Sequence, residues 1–276
     1  EIPKLDTVIE KAAANGVTDL QPLTAAQARE MEPAVACHAA LLSPTTGIVD
    51  SHAYMLALIG EAEAHGATMV TGAPVLGGHL LADGRMAVDV GTDPAVRLVA
   101  PHVVNCAGLW AQRVAQRLEG IDPGSIPGQV LAKGHYFSLR TRSPFSRLVY
   151  PVPGGGGLGV HVTIDMGGRA KFGPDVEWLE GAGPAEIDYT VDGGRIAKFE
   201  AAIRRYWPGL PEDALVPDYT GVRPKLAQAD GQSLDFRIDG ADVHGAPGHV
   251  MLYGVESPGL TASLAIADHV LGIIRG

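Results

Sequence analysis

Two basic residues separated by a single position carry the first chemical signal. In Gly221-Val222-Arg223-Pro224-Lys225 an extended backbone puts Arg223 and Lys225 on one side of the segment. A guanidinium and an ammonium so placed either converge on one carboxylate or stand as two solvated surface cations. The second signal is His161. Between Leu158 and Ile164, the side chains of Val160, Val162 and Ile164 share one face and Gly159, His161 and Thr163 the other, which points the imidazole away from the apolar layer. There it is either a proton acceptor near neutral pH or a satisfied polar residue. His135, in the polar cluster Lys133-Gly134-His135-Tyr136-Phe137, is the reserve candidate for the same work. The third signal is the turn Gly254-Val255-Glu256-Ser257-Pro258-Gly259-Leu260-Thr261 between an apolar strand and an apolar helix. Its glycines allow close backbone approach, and a helix start offers unpaired amides and partial positive charge, so the expected ligand is electron-rich. An ordinary strand-to-helix connection is the competing reading.

The elements that must position these groups follow from periodicity and punctuation. Leu5, Val8, Ile9 and Ala12 predict a first helix stopped at Asn15-Gly16. Thr24-Ala25-Ala26-Gln27 has capping-box form, and a helix with Leu56, Ile59 and Glu63 starts at Asp50 or Ser51 and ends at Gly66. The period then becomes two, predicting strands at 67–70, 75–77, 86–90 and 96–100. His102 to Gly108 reads as a buried strand meeting a glycine turn, with a helical stretch through Trp110, Val114 and Leu118 after it. Strands at 134–139, 147–151, 158–164 and 218–226 resemble an antiparallel sheet. A helix over 192–206 is capped by Asp192 and closed by Pro208, and His249 to Tyr253 is a strand ahead of a stripe of Leu260, Leu264, Ala267, Leu271 and Ile274. A mixed α/β (α+β) protein is expected.

Composition narrows the function. The chain has 276 residues, 46% hydrophobic, with a formal charge of -10, which disfavours a phosphate-tracking surface and hence nucleic acid. No window approaches the roughly 18 consecutive apolar residues of a membrane span. Cys37 and Cys106 lack metal or redox spacing, so no metal site is expected and a reducing compartment, the cytoplasm, fits. Gly154-Gly155-Gly156-Gly157-Leu158-Gly159 satisfies G-x-G-x-x-G only as a string. It precedes a strand, whereas a dinucleotide fingerprint needs a helix N-terminus, so a hairpin or loop is expected there.

Three strings together resemble the FAD-dependent D-amino-acid-oxidase-like superfamily, and within it the L-2-hydroxyglutarate dehydrogenase and oxidase branch. They are Val103 to Ala111 (VVNCAGLWA), Gly221 to Lys225, and Tyr253 to Thr261. Ser43 to Asp50, Lys133 to Phe137 and Leu158 to Thr163 extend the likeness over nearly the whole chain. The resemblance implies a Rossmann-like FAD-binding domain, incomplete here because members begin with a strand, G-x-G-x-x-G and helix upstream of this start. A targeting signal would also lie there. It further implies an FAD-binding domain over 51–111 and 242–276, and a substrate domain with a mostly antiparallel sheet over 1–50 and 112–241. Val75 would lie by the adenine, Ala107, Gly108 and Trp110 would line the cofactor, and Gly254, Ser257, Gly259, Leu260 and Thr261 would cover the flavin.

The implied reaction is oxidation of a small 2-hydroxy acid to the 2-oxo acid, by hydride transfer to flavin N5. Arg223, helped by Lys225, would hold the substrate carboxylate, and His161 would take the hydroxyl proton. The electron acceptor stays open among oxygen, a quinone and a protein. An amine or amino-acid oxidase on the same scaffold is one alternative, and a non-catalytic ligand-binding module without its dinucleotide unit is another.

Overall fold

The computed structural model describes residues 2–152, 159–227 and 233–276. The glycine string at 154–159 therefore falls outside the described residues, save Gly159. In chain order the elements are α1 (Pro3–Ala14), β1 (Gln21–Thr24), α2 (Ala25–Met31), β2 (Ala39–Leu42), α3 (Ser51–Ala64), β3 (Val75–Leu80), β4 (Met86–Val90), β5 (Val96–Ala100), β6 (Val104–Asn105), α4 (Ala111–Ala115) and β7 (Leu118–Glu119). They continue with β8 (Gln129–Leu139), β9 (His161–Ile164), β10 (Ala170–Gly173), β11 (Glu177–Leu179), α5 (Ile196–Arg204), β12 (Leu215–Ala227), β13 (Ser233–Leu234), β14 (Arg237–Asp239), α6 (Ala241–His244), β15 (Val250–Tyr253) and α7 (Ser263–Arg275). The class is mixed α/β, as expected.

The chain forms two compact units. The first comprises Glu1–Asp50, Lys133–Glu177 and Asp188–Gly221, the second Ser51–Ala132, Trp178–Ile187 and Val222–Gly276. This division assigns 112–132, 178–187 and 222–241 differently from the sequence-based one. Turn signals mark where strands end; contacts, not turns, decide which body a strand joins.

In the first unit β9, β10 and β8 pair antiparallel, with Gly173 opposite His161 and Phe172 opposite Phe137. One face of that sheet is its core: Phe137, Val162 and Phe172 are fully buried against Phe199 and Ile203 of α5. Burial of such a side chain contributes roughly 1.5–3 kcal/mol. The caps form as read. Thr24 Oγ1 accepts from the Gln27 amide at 3.3 Å and the Thr24 amide donates to Gln27 Oε1 at 2.9 Å, while the Gly194 amide donates to Asp192 Oδ1 at 2.9 Å ahead of α5.

In the second unit β3, β4 and β5 form an antiparallel meander. A separate sheet has the order β14-β15-β6, in which β15 and β6 run parallel with Val250 opposite Val104. Helix α7 covers β15 through Ile266, Val270, Ile273 and Ile274.

Five local expectations are corrected, and in the first of them residues 147–151 contribute only a bridge from Val149 to Val162. Residues 67–70 form no strand; Met69 and Val70 are exposed, and an alternating pattern without a pairing partner among the described residues stays irregular. The stretch from His102 shortens to β6, and Val104 is partly exposed. The helix after Trp110 stops at Ala115, and Leu118 joins β7, parallel to β3, because Gly78 opposite leaves room for it: a Cβ there would lie 2.9 Å from Leu118 Cδ2. Finally, Leu260, Leu264 and Leu271 are exposed. Two adjacent stripes of α7 are apolar, and the position of β15 selects the other one.

Candidate active site

Strand β12 carries the two basic side chains. Pro224 and Leu226 are buried on it while Arg223 and Lys225 lie on the alternate positions, only partly covered. Both cations reach the same carboxylate: Lys225 Nζ is 2.5 Å from Glu256 Oε1, and Arg223 Nε is 3.8 Å from Glu256 Oε2. The convergence expected from their spacing is real, and its object is a side chain of the protein. Arg223 Nη2 is buried without a hydrogen-bond partner among the described residues. Sequence reasoning missed Glu256, although an acidic residue in a turn of otherwise uncharged residues was the available signal.

Glu256 belongs to the turn between β15 and α7. The turn is tight because two glycines make it so. Gly254 has φ +68°, and a Cβ there would meet Leu226 Cγ at 2.5 Å; at Gly259 it would meet Val255 Cγ1 at 2.4 Å. The Gly259 amide donates to the Glu256 carbonyl at 2.5 Å and the Ala262 amide to the Pro258 carbonyl at 3.0 Å. No side chain caps α7, and the amides of Leu260 and Thr261 have no partner among the described residues. Ser257, Leu260 and Thr261 are exposed.

Behind it, β6 leads into a second glycine turn. Asn105 is buried and spans it, donating to the Ala111 carbonyl at 2.8 Å and accepting from the Ala107 amide at 3.1 Å. Gly108 has φ +55°, and a Cβ there would meet nothing within 4 Å. Trp110 is 42% exposed with the Arg113 guanidinium 5.3 Å above its ring. Val75 opens β3 half-buried. Open glycine backbone together with unpartnered turn amides ahead of a helix suits a large, electron-rich planar group, so the residues present fit the flavin part of FAD.

The two histidines occupy the first unit and differ in their bonding. His161 is buried, stacked on Tyr150 with centroids 4.1 Å apart, and its Nδ1 lies 3.2 Å from the Gly159 carbonyl. That carbonyl only accepts, so Nδ1 carries the proton and Nε2 keeps its lone pair. Burial pushes the pKa below the ordinary imidazole value, against a smaller opposing effect of the Gly159 bond. His135 has both nitrogens engaged: Nε2 lies 2.7 Å from Glu177 Oε2, and Nδ1 accepts from the Asp192 amide at 3.3 Å. Arg195 binds Asp175 at 2.6 Å and Glu177 at 2.9 Å, closing the network. No lone pair of His135 is left for a substrate proton.

A protein-family model described as FAD dependent oxidoreductase matches residues 1–271. The chain belongs to that family. Among its relatives, the mitochondrial L-2-hydroxyglutarate dehydrogenase of Arabidopsis thaliana is 42% identical over 304 residues, covering 98% of this chain and 63% of that protein. The L-2-hydroxyglutarate dehydrogenase of Salmonella houtenae is 25% identical, covering 100% and 70%. The chain thus spans less than two thirds of the plant enzyme. In fold it is similar to an FAD-bound L-alpha-glycerophosphate oxidase from Mycoplasma pneumoniae, with TM-score 0.81, 20% identity and coverage of 99% and 70%. Glycine oxidase from Bacillus cereus follows at TM-score 0.75 and 17% identity, covering 98% and 69%. Among the described residues, no helix of this family member is long and apolar enough to cross a membrane.

Proposed function

We propose that the protein oxidises a small 2-hydroxy acid of the 2-hydroxyglutarate type to the 2-oxo acid. The observation that carries this reading is that Arg223 and Lys225 already converge on a carboxylate, that of Glu256, in the very turn that fits the flavin. The likeness to the plant 2-hydroxyglutarate enzyme supports the substrate class. In this reading the second unit holds FAD: Val75 toward the adenine, Ala107, Gly108 and Trp110 along the cofactor, and Gly254, Ser257, Gly259, Leu260 and Thr261 over the flavin.

Bound FAD supplies the two-electron acceptor for the hydrogen leaving C2. Arg223 binds and orients the substrate carboxylate through charge-assisted hydrogen bonds, and Lys225 helps from the next same-side position of β12, where it pairs with Glu256. The Nε2 lone pair of His161 takes the hydroxyl proton, and its depressed pKa keeps the imidazole neutral and ready at physiological pH. The unpartnered amides of Leu260 and Thr261, in the turn just ahead of α7, offer fixed dipoles to negative charge developing beside them. The free thiols Cys37 and Cys106 suit a reducing compartment such as the cytoplasm.

The deciding experiment is turnover of both 2-hydroxyglutarate enantiomers, glycine and sarcosine by the holoprotein with an artificial acceptor dye. Turnover of one hydroxy acid with none of the amines is the expected result. Turnover of an amine alone refutes the assignment.

A further inference from the structure

The two cations of β12 are not equivalent. Lys225 is committed to Glu256 at 2.5 Å, whereas Arg223 meets the same carboxylate only from its Nε side, at 3.8 Å, too long for a hydrogen bond. The neighbouring nitrogen of that guanidinium, Nη2, is buried and unpartnered among the described residues. A buried charged donor left unpaired is costly, and such a group persists where a ligand completes it.

We propose that Glu256 is a positioning residue for the acid-binding arginine. Its carboxylate takes up Lys225 and stands 3.8 Å from Nε of Arg223, which anchors the guanidinium while leaving Nη2 to be presented to a substrate carboxylate. Lys225 then acts through Glu256 and is not itself a substrate ligand. Glu256 can do this because its backbone is fixed: its carbonyl accepts the Gly259 amide in the turn, and Gly254 is pressed onto Leu226 and the Pro224 carbonyl of β12, where a Cβ would lie 3.2 Å from that oxygen. One residue thereby ties the acid-binding strand to the turn that fits the flavin. Without its charge, the ammonium and guanidinium on neighbouring same-side positions lose the anion they share, and the guanidinium loses its anchor.

This inference rests on the acid-binding role of Arg223 proposed above, and the test separates the two. The probe is glutarate, a dicarboxylate without the reacting hydroxyl, titrated into oxidised holoprotein and followed by the perturbation of flavin absorbance. Glu256→Gln is expected to raise the glutarate Kd and the hydroxy-acid KM about tenfold with a much smaller change in kcat, and Glu256→Asp to restore part of the affinity. Arg223→Met is expected to abolish glutarate binding at concentrations that saturate the parent. Unchanged or tighter glutarate binding by Glu256→Gln, with Arg223→Met defective, overturns the positioning role and leaves the function standing. Normal binding by Arg223→Met overturns both. Lys225→Met gives an independent reading should Glu256→Gln fail to fold: weaker loss than Arg223→Met is expected, and an equal loss makes Lys225 a direct ligand and overturns the proposal.

Discussion

Tyr150 and His161 stack with their rings 13° from parallel and 4.1 Å apart, so a half-exposed phenol ring forms one wall around a buried imidazole. Desolvation is the first cause of the depressed His161 pKa, and Tyr150 contributes to it by covering one ring face. Tyr150→Ala is therefore expected to move the acid limb of the kcat/KM profile upward, toward the ordinary imidazole value. A limb that stays in place would show that the stack does not set the titration.

His161→Ala tests the base itself. General-base assistance is worth roughly 10²–10⁴ in rate, so kcat on the hydroxy acid should fall within that range while glutarate affinity holds. An amine substrate reacts as its free base and needs no such acceptor. Unchanged turnover in this variant would favour that chemistry.

Gly254 and Gly108 share a left-handed backbone but not its surroundings. Gly254→Ala combines backbone strain of about 1–3 kcal/mol with overpacking against Leu226, so a clear drop in Tm is expected. Gly108→Ala meets nothing within 4 Å and carries only the backbone cost. Its methyl enters the space that fits the flavin, so it should lower FAD retention on gel filtration out of proportion to its effect on Tm.

Asp175 is almost fully buried, with Arg195 and the His135 amide as partners. Burial opposes its ionisation, yet the His135 amide and Arg195 together hold the pKa below the usual carboxylate range. Removing one partner of a buried pair costs about 3–5 kcal/mol, so Asp175→Asn should destabilise by that order in urea melts. The sign of the pH dependence follows. The stabilisation is present above the unfolded carboxylate pKa and is lost as pH falls through the lower folded value.

His249 is another buried imidazole, accepting the Val103 amide at Nδ1 at 3.0 Å while Nε2 lies 3.1 Å from the Gly84 carbonyl. Burial lowers its pKa, partly offset by the Gly84 bond. Its folded form resists protonation more than the unfolded chain does, so its contribution is complete above the ordinary imidazole value and declines as pH falls toward the folded one. Tm should drop between pH 7.5 and 5.5, and His249→Gln should flatten part of that slope.

The sequence by itself determined much of this. Alternation on β12 put Arg223 and Lys225 on one side, capping chemistry placed Thr24 and Asp192, and the glycine turns at 108 and 254 announced close backbone approach, because these rules act between residues near in the chain. Only the tertiary structure decided the rest. That the two cations share Glu256, more than 30 residues away, that His135 has both nitrogens occupied while His161 keeps a lone pair, and that α7 turns Val270 inward instead of Leu264 are all facts of non-local packing. A local pattern fixes which faces an element can offer. Which face is buried, and which charge finds which partner, depends on the element that arrives opposite it.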